Sequence, residues 1–251
     1  LMTILSQLQQ AILPGRILAV QVGLSRTMVM AETADGIRGG LAATLSNPGV
    51  DHRLHPAVRN AGHLHEMDYR DLAALTESDS FTEVAVGLAT INALLPQTPQ
   101  QWVDLNAEDY LIQNGAGKNV AVVGHFPFVD RLRPLVNRLW VLELNPREGD
   151  LPAGAAPEIL PQSDIVAITA TTLINRTFDG LISLCRPDAD VIMLGPSTPL
   201  SPILFDNGIN VLSGTVVDNP QATWLGVSQG ISLHQLRQTG WVRLVTLRKD
   251  H

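Results

Sequence analysis

The chain has 251 residues, of which 45% are hydrophobic and 16% charged. That composition excludes an intrinsically disordered polymer and is enough to bury a sizeable core. The net charge of -7 argues against binding to nucleic acid or an anionic membrane, because both require a basic surface.

The charge is unevenly spread. Residues 1–115 hold 6 Lys+Arg against 12 Asp+Glu, whereas residues 116–251 hold 11 against 12, which suggests two units of different character. One cysteine, Cys185, rules out an internal disulfide and reads as a buried, inert thiol in an apolar segment. No run approaches the ~20 apolar residues of a membrane span. The N-terminal segment mixes glutamines with apolar residues and lacks a basic start, so it does not read as a signal peptide. A cytoplasmic protein is the default expectation.

In chain order, Leu5, Leu8, Ile12 and Leu13 recur at helical spacing before Pro14-Gly15 ends the run. Residues 16–23 and 27–32 read as a hairpin turning at Ser25-Arg26. Gly39-Gly40 suggests a bend into a third strand. Residues 46–68 have no clean period and contain four histidines, so a long loop is expected. Helical periodicity returns at 69–75 and 81–95, the latter capped by Ser80. A short helix capped by Asn106 then precedes a boundary placed near residue 115. Beyond it, apolar runs at 119–124, 138–144, 164–169, 190–194, 209–213 and 241–247 alternate with helical or turn material. Short β-branched runs joined by crossovers predict a parallel sheet covered on both faces, in effect a six-stranded doubly wound α/β domain.

Ligands of such sheets bind beyond the carboxyl ends of the strands, so the residues there are the candidates. Gly124, His125, Phe126 and Pro127 follow the first strand; Glu143 and Asn145 follow the second, with Asp150 further on; Thr169, Thr172, Asn175 and Thr177 follow the third; Gly195, Pro196, Ser197 and Thr198 follow the fourth; Thr215 and Asp218 follow the fifth. Pro127 is suited to a helix start whose free N–H groups would favour an anion. The later glycines of a dinucleotide-binding turn are missing. Glu143, nineteen residues past Gly124, stands where a ribose-binding carboxylate would, or simply caps its strand. His125 is the best candidate for proton transfer or metal ligation, against a merely packed imidazole. The Thr and Asn residues at 169–177 either contact ligand or cap a helix. The turn at 195–199 could hold a carboxylate or phosphate, but nothing in the sequence sets a base beside Ser197, so nucleophilic catalysis is not expected. His52, His55, His63 and His65 could bind a metal, although no helix fixes them and a solvated loop is the plainer reading. Asn92 interrupts an apolar helix face and needs partners, at the domain junction or in the cleft.

Val-Gly-His-Phe-Pro at 123–127, Glu-Leu-Asn-Pro at 143–146, Leu-Pro-x-x-Asp-Ile-Val at 160–166, Thr-x-x-Asn-x-Thr at 172–177, Gly-Pro-Ser-Thr-Pro at 195–199 and Gly-Leu-Ala-Thr-Ile-Asn-Ala at 87–93 together resemble the "putative heavy-metal-chelation" family, a domain of unknown function. The resemblance covers nearly the whole chain. It implies an N-terminal α+β domain like the small capping domain of enolases (1–115), a Rossmann-like α/β domain (116–251) and a site in the cleft between them. Enolase chemistry is not implied, since the barrel that holds enolase's metals is lacking, and the His-rich loop is not part of the shared pattern. The leading expectation is a binder of a small anionic ligand or metal chelate in metal or chelator metabolism. The alternative is an enzyme using a nucleotide or S-adenosylmethionine for group or hydride transfer, and the third reading is a binding module without chemistry. A metal ion or chelate is favoured over NAD or S-adenosylmethionine as cofactor. Two-domain α/β proteins of this size often pair, which leaves a homodimer open.

Overall fold

A computed structural model describes residues 2–49 and 56–249. Its front half is built on an antiparallel meander of β1 (Arg16–Val22), β2 (Arg26–Thr33) and β3 (Gly36–Ala43). It is preceded by α1 (Ile4–Ala11), whose N-terminus is capped by Thr3, and followed by α2 (Tyr69–Ala73) and α3 (Phe81–Leu94). The side-chain alternation of the strands divides the sheet into two faces. Val29, Ala31 and Ala42 share a core with α3, whereas Met28 and Leu41 face the other way. The Ser80 side chain accepts from the Glu83 N–H and starts α3. This helix is buried nearly all round, as expected of one that is apolar on every side.

Gly39-Gly40 is not a bend. Both residues lie inside the continuous strand β3, paired with Met30 and Val29. A Cβ on Gly40 would overlap the main chain of Ala89 and Ala93 in α3, and one on Gly39 would overlap Met28 and Val217. The glycines therefore serve close backbone approach on both faces of the sheet. The described part of the predicted loop is tied down by Glu83, which accepts from the Arg59 backbone N–H at 2.6 Å and pairs with its guanidinium at 2.9 Å. Burial works against the Glu83 charge, yet the bonds from Arg59 and Ser78 hold the carboxyl below its usual range.

The rest is a Rossmann-like α/β unit. The helix α4 (Ala107–Asn114) leads into β4 (Asn119–Val123), α5 (Val129–Leu132), β5 (Arg138–Glu143), β6 (Leu151–Pro152), α6 (Ala156–Ile159) and β7 (Ile165–Thr169). Then come α7 (Thr171–Ile174), α8 (Phe178–Ile182), β8 (Asp190–Leu194), β9 (Val211–Val217), α9 (Pro220–Ser228), α10 (Leu233–Thr239) and β10 (Val242–Arg248). The seven strands lie in the order β10-β9-β8-β7-β4-β5-β6. All neighbours are parallel except β9 and β10. The expected count of six parallel strands thus needs two corrections. The two-residue β6 is too short to leave an apolar run. The last strand is antiparallel because its chain re-enters at the end where β9 leaves, with the Asp218 and Asn219 N–H groups donating to the Trp241 carbonyl.

Alternation again assigns the faces. Val120, Val122, Val141, Ile165 and Ala167 pack with α4 and α5, while Ala121, Val123, Val166, Ile168 and Met193 join the core that also contains α1 and α3. In addition α9 and α10, from the second half, cover the free face of the three-stranded sheet through Val227 and Leu236. The two sheets are therefore bound into one body by a shared core. Cys185 is half-buried; burial pushes its thiol up to about 11, which keeps it protonated and unreactive at neutral pH. Among the described residues no helix is long and apolar enough to cross a membrane.

Candidate functional site

Between β4 and β7 the sheet changes direction: the chain runs outward one way through β5 and β6 and the other way through β8 and β9. Such a switch point opens a crevice at the carboxyl ends of its two strands. Gly124 and His125 follow β4 at this point, and Thr169 ends β7 close beside Gly124. Gly124 has φ +103°, and a Cβ there would press to 3.2 Å against both Phe126 and Thr169. Only glycine suits both the backbone and the space.

The chain turned out by Gly124 carries a fixed imidazole. His125 Nδ1 lies 2.9 and 3.0 Å from the two carboxylate oxygens of Asp150. Asp150 is 1% exposed at its side chain, and His125 20%. Burial opposes the Asp150 charge, but the Arg147 N–H, the His125 ring and the Arg147 charge together hold its carboxyl below the usual aspartate range. An ionised carboxylate only accepts hydrogen bonds, so His125 donates from Nδ1, and the lone pair of Nε2 is left for another group. Among the described residues nothing bonds to that nitrogen. A carboxylate-oriented imidazole of this kind is competent as a metal ligand or as a proton acceptor.

Glu143 is engaged by the backbone. Its two oxygens accept from the backbone N–H groups of His125 at 2.7 Å and Leu144 at 3.0 Å, so it braces the turn that presents the imidazole. The helix expected at Pro127 begins instead at Val129 and runs only four residues, too short to give the expected anion-binding start. Phe126 and Phe128 stack at 5.3 Å beside the turn. On the facing side the Thr169 and Thr171 hydroxyls pair at 3.0 Å, and Thr172 donates to the Thr169 carbonyl. Asn175 and Thr177 bond to each other and close the break between α7 and α8. Asn145 is exposed on the loop after β5, and Asp218 pairs with Arg243 at 2.7 Å.

The remaining predicted residues form a second group, two strand spacings or roughly 10 Å along the same edge. Ser197 and Thr198, after Gly195 and Pro196, are 1% and 2% exposed beneath the front half. Ser197 Oγ accepts from the Ala43 N–H at 2.7 Å, and Asn92 Nδ2 donates to Leu41 O at 2.8 Å and Ser197 O at 3.1 Å. This loop clamps the two halves together rather than opening its hydroxyls to an anion. Ser197 and Thr198 are thus held in the contact between the halves. Between the halves there is a cavity of about 370 Å³ whose lining includes Thr3, Ser6, Glu77, Thr172, Arg176 and Phe178.

Of the expected histidine cluster, His63 and His65 are exposed beside Glu66, while His52 and His55 lie outside the described residues. Among the described residues no group of three or more His, Cys, Asp or Glu side chains is arranged to hold a metal. Asp150 was visible in the sequence only as a residue after the second strand; its partnership with His125 comes from strand adjacency, and the pairing of β4 with β5 was the available signal.

Comparison with known proteins agrees with this architecture. Residues 106–246 match a family profile described as "Putative heavy-metal chelation", and residues 5–95 match a second with the same description. A crystal structure of a DUF364-family protein of unknown function from Desulfitobacterium hafniense superposes with a TM-score of 0.78 at 26% identity, covering 98% of each chain. Another from the same family, from Pyrococcus horikoshii, gives 0.83 at 18% identity over 98% of each chain, a likeness of fold alone. An uncharacterized protein of Methanocaldococcus jannaschii is 27% identical over 154 residues, which take in 57% of this chain and 58% of that protein.

Proposed function

The chain belongs to the family described as "Putative heavy-metal chelation", and from that premise we propose that it binds a metal carried in a small anionic chelate, at the crevice between β4 and β7. The carrying observation is the His125 imidazole, oriented through Nδ1 by the buried Asp150 carboxylate, with Nε2 directed away from that bond. A bare ion would need three or four protein ligands, and no such group exists among the described residues. One well-held imidazole instead suits a metal that arrives with most of its coordination sphere supplied by a chelator. The backbone bonds of Glu143 weigh against the alternative, a nucleotide- or S-adenosylmethionine-dependent enzyme, because the carboxylate that would read a ribose is already engaged.

Zinc(II) nitrilotriacetate is a suitable probe, being anionic with coordination positions left open. Calorimetric titration should show one saturable site that is lost in His125→Asn and kept in the double variant His63→Asn/His65→Asn. Binding that survives His125→Asn and disappears with the loop histidines would overturn the reading.

A further inference from the structure

Four buried polar atoms belong to residues around one small hollow at the joint between the two halves, away from His125. They are Asn92 Oδ1 on α3, Trp102 Nε1 on the segment connecting the halves, Thr198 Oγ1 after β8 and Thr215 Oγ1 on β9. Each is shut off from bulk solvent and lacks a protein partner among the described residues. All four residues line one small cavity of about 20 Å³, whose apolar walls include Leu200 and Val217. We propose that this cavity is a binding site for a single ordered water, which links α3, the connecting segment and the carboxyl edge of the large sheet.

The chemistry of the four groups defines the guest. Asn92 Nδ2 already donates to two carbonyls, Leu41 O and Ser197 O, which fixes the amide orientation and leaves Oδ1 as an acceptor. Trp102 Nε1–H can only donate, and the two threonine hydroxyls can do either. The site therefore asks for a guest that both donates and accepts, and a water with two of each satisfies all four groups at once. No Lys, Arg, His, Asp or Glu lines the cavity, so a charged guest has no counter-ion. A hollow of roughly 10–15 Å³ or more holds one water when two to four polar partners surround it, and this one matches that size. Thr198, at 2% exposure, is the most enclosed of the set. The site is independent of the metal-chelate reading.

In ¹⁵N-labelled protein, with the Trp102 indole signal assigned by Trp102→Phe, the indole N–H should show a cross-relaxation peak to a long-lived water. Thr198→Ser should keep that peak and Thr198→Val should abolish or weaken it. In a crystal structure of the wild-type protein, one solvent peak should lie about 2.7–3.2 Å from the four atoms. An indole N–H that sees only bulk water, or density showing the four side chains bonded to one another, would overturn the inference.

Discussion

Gly40→Ala is expected to destabilise the protein by about 3 kcal/mol or more, at the upper end of what overpacking a core costs. The new methyl group would overlap the Ala89 carbonyl oxygen and the Ala93 nitrogen, and would lie 2.8 Å from the Asn92 carbonyl carbon. All three are helix backbone, which cannot turn aside as a side chain can. Either α3 lifts from β3 or the strand bows, and both responses open the core around Val29, Ala42 and Leu88. Gly154→Ala is the control: a Cβ there meets nothing within 4 Å, and the change should fall within about 0.5 kcal/mol. Chemical denaturation of the two variants decides the matter. Equal midpoints would show that Gly40 is not the contact that seats the helix.

Asp150→Ala should cost about 2 kcal/mol of stability, from the loss of its charge-assisted bonds to His125 Nδ1 and the Arg147 N–H. It should also weaken binding of the zinc chelate by about 10–100-fold, the usual effect of removing the group that orients a ligating histidine. The stability difference has a defined pH course. The folded-state carboxyl is held below its ordinary value, so its contribution is complete above the unfolded aspartate value near ~4 and is lost as pH falls through the folded-state value. Wild type and Asp150→Asn should therefore differ above the unfolded aspartate value and converge as pH falls through the lower folded-state value. A difference that fails to shrink as pH falls below the aspartate range would mean that Asp150 is not ionised in the folded protein.

Much of the large sheet was legible because its signal is local. The runs at 119–123, 165–169 and 190–194 are β-branched, bounded by glycine or polar residues and buried on both faces, so composition alone marks them. What failed depends on distant parts of the chain. Gly39-Gly40 looked like a bend because glycine breaks strands as readily as it admits a helix, and only the position of α3 separates the two roles. Ser197 looked like an open hydroxyl because nothing local shows that Ala43 lies over it. The direction of β10 is decided by where α9 and α10 return the chain, not by the residues of the strand. His125 stood out in the sequence by following an apolar strand; Asp150, twenty-five residues on, had no periodicity to single it out. Trp102 was hidden in a proline- and glutamine-rich connection, and its role appears only where α3 and β9 close around it.

The most direct measurement is an anomalous-difference map at the zinc edge from crystals of the wild-type protein grown with zinc(II) nitrilotriacetate. The predicted result is a zinc peak about 2.1 Å from His125 Nε2, at the carboxyl ends of β4 and β7, with Asp150 still bonded to Nδ1. Zinc found only at the exposed histidines of the 46–68 segment, with His125 Nε2 free of metal, would contradict it.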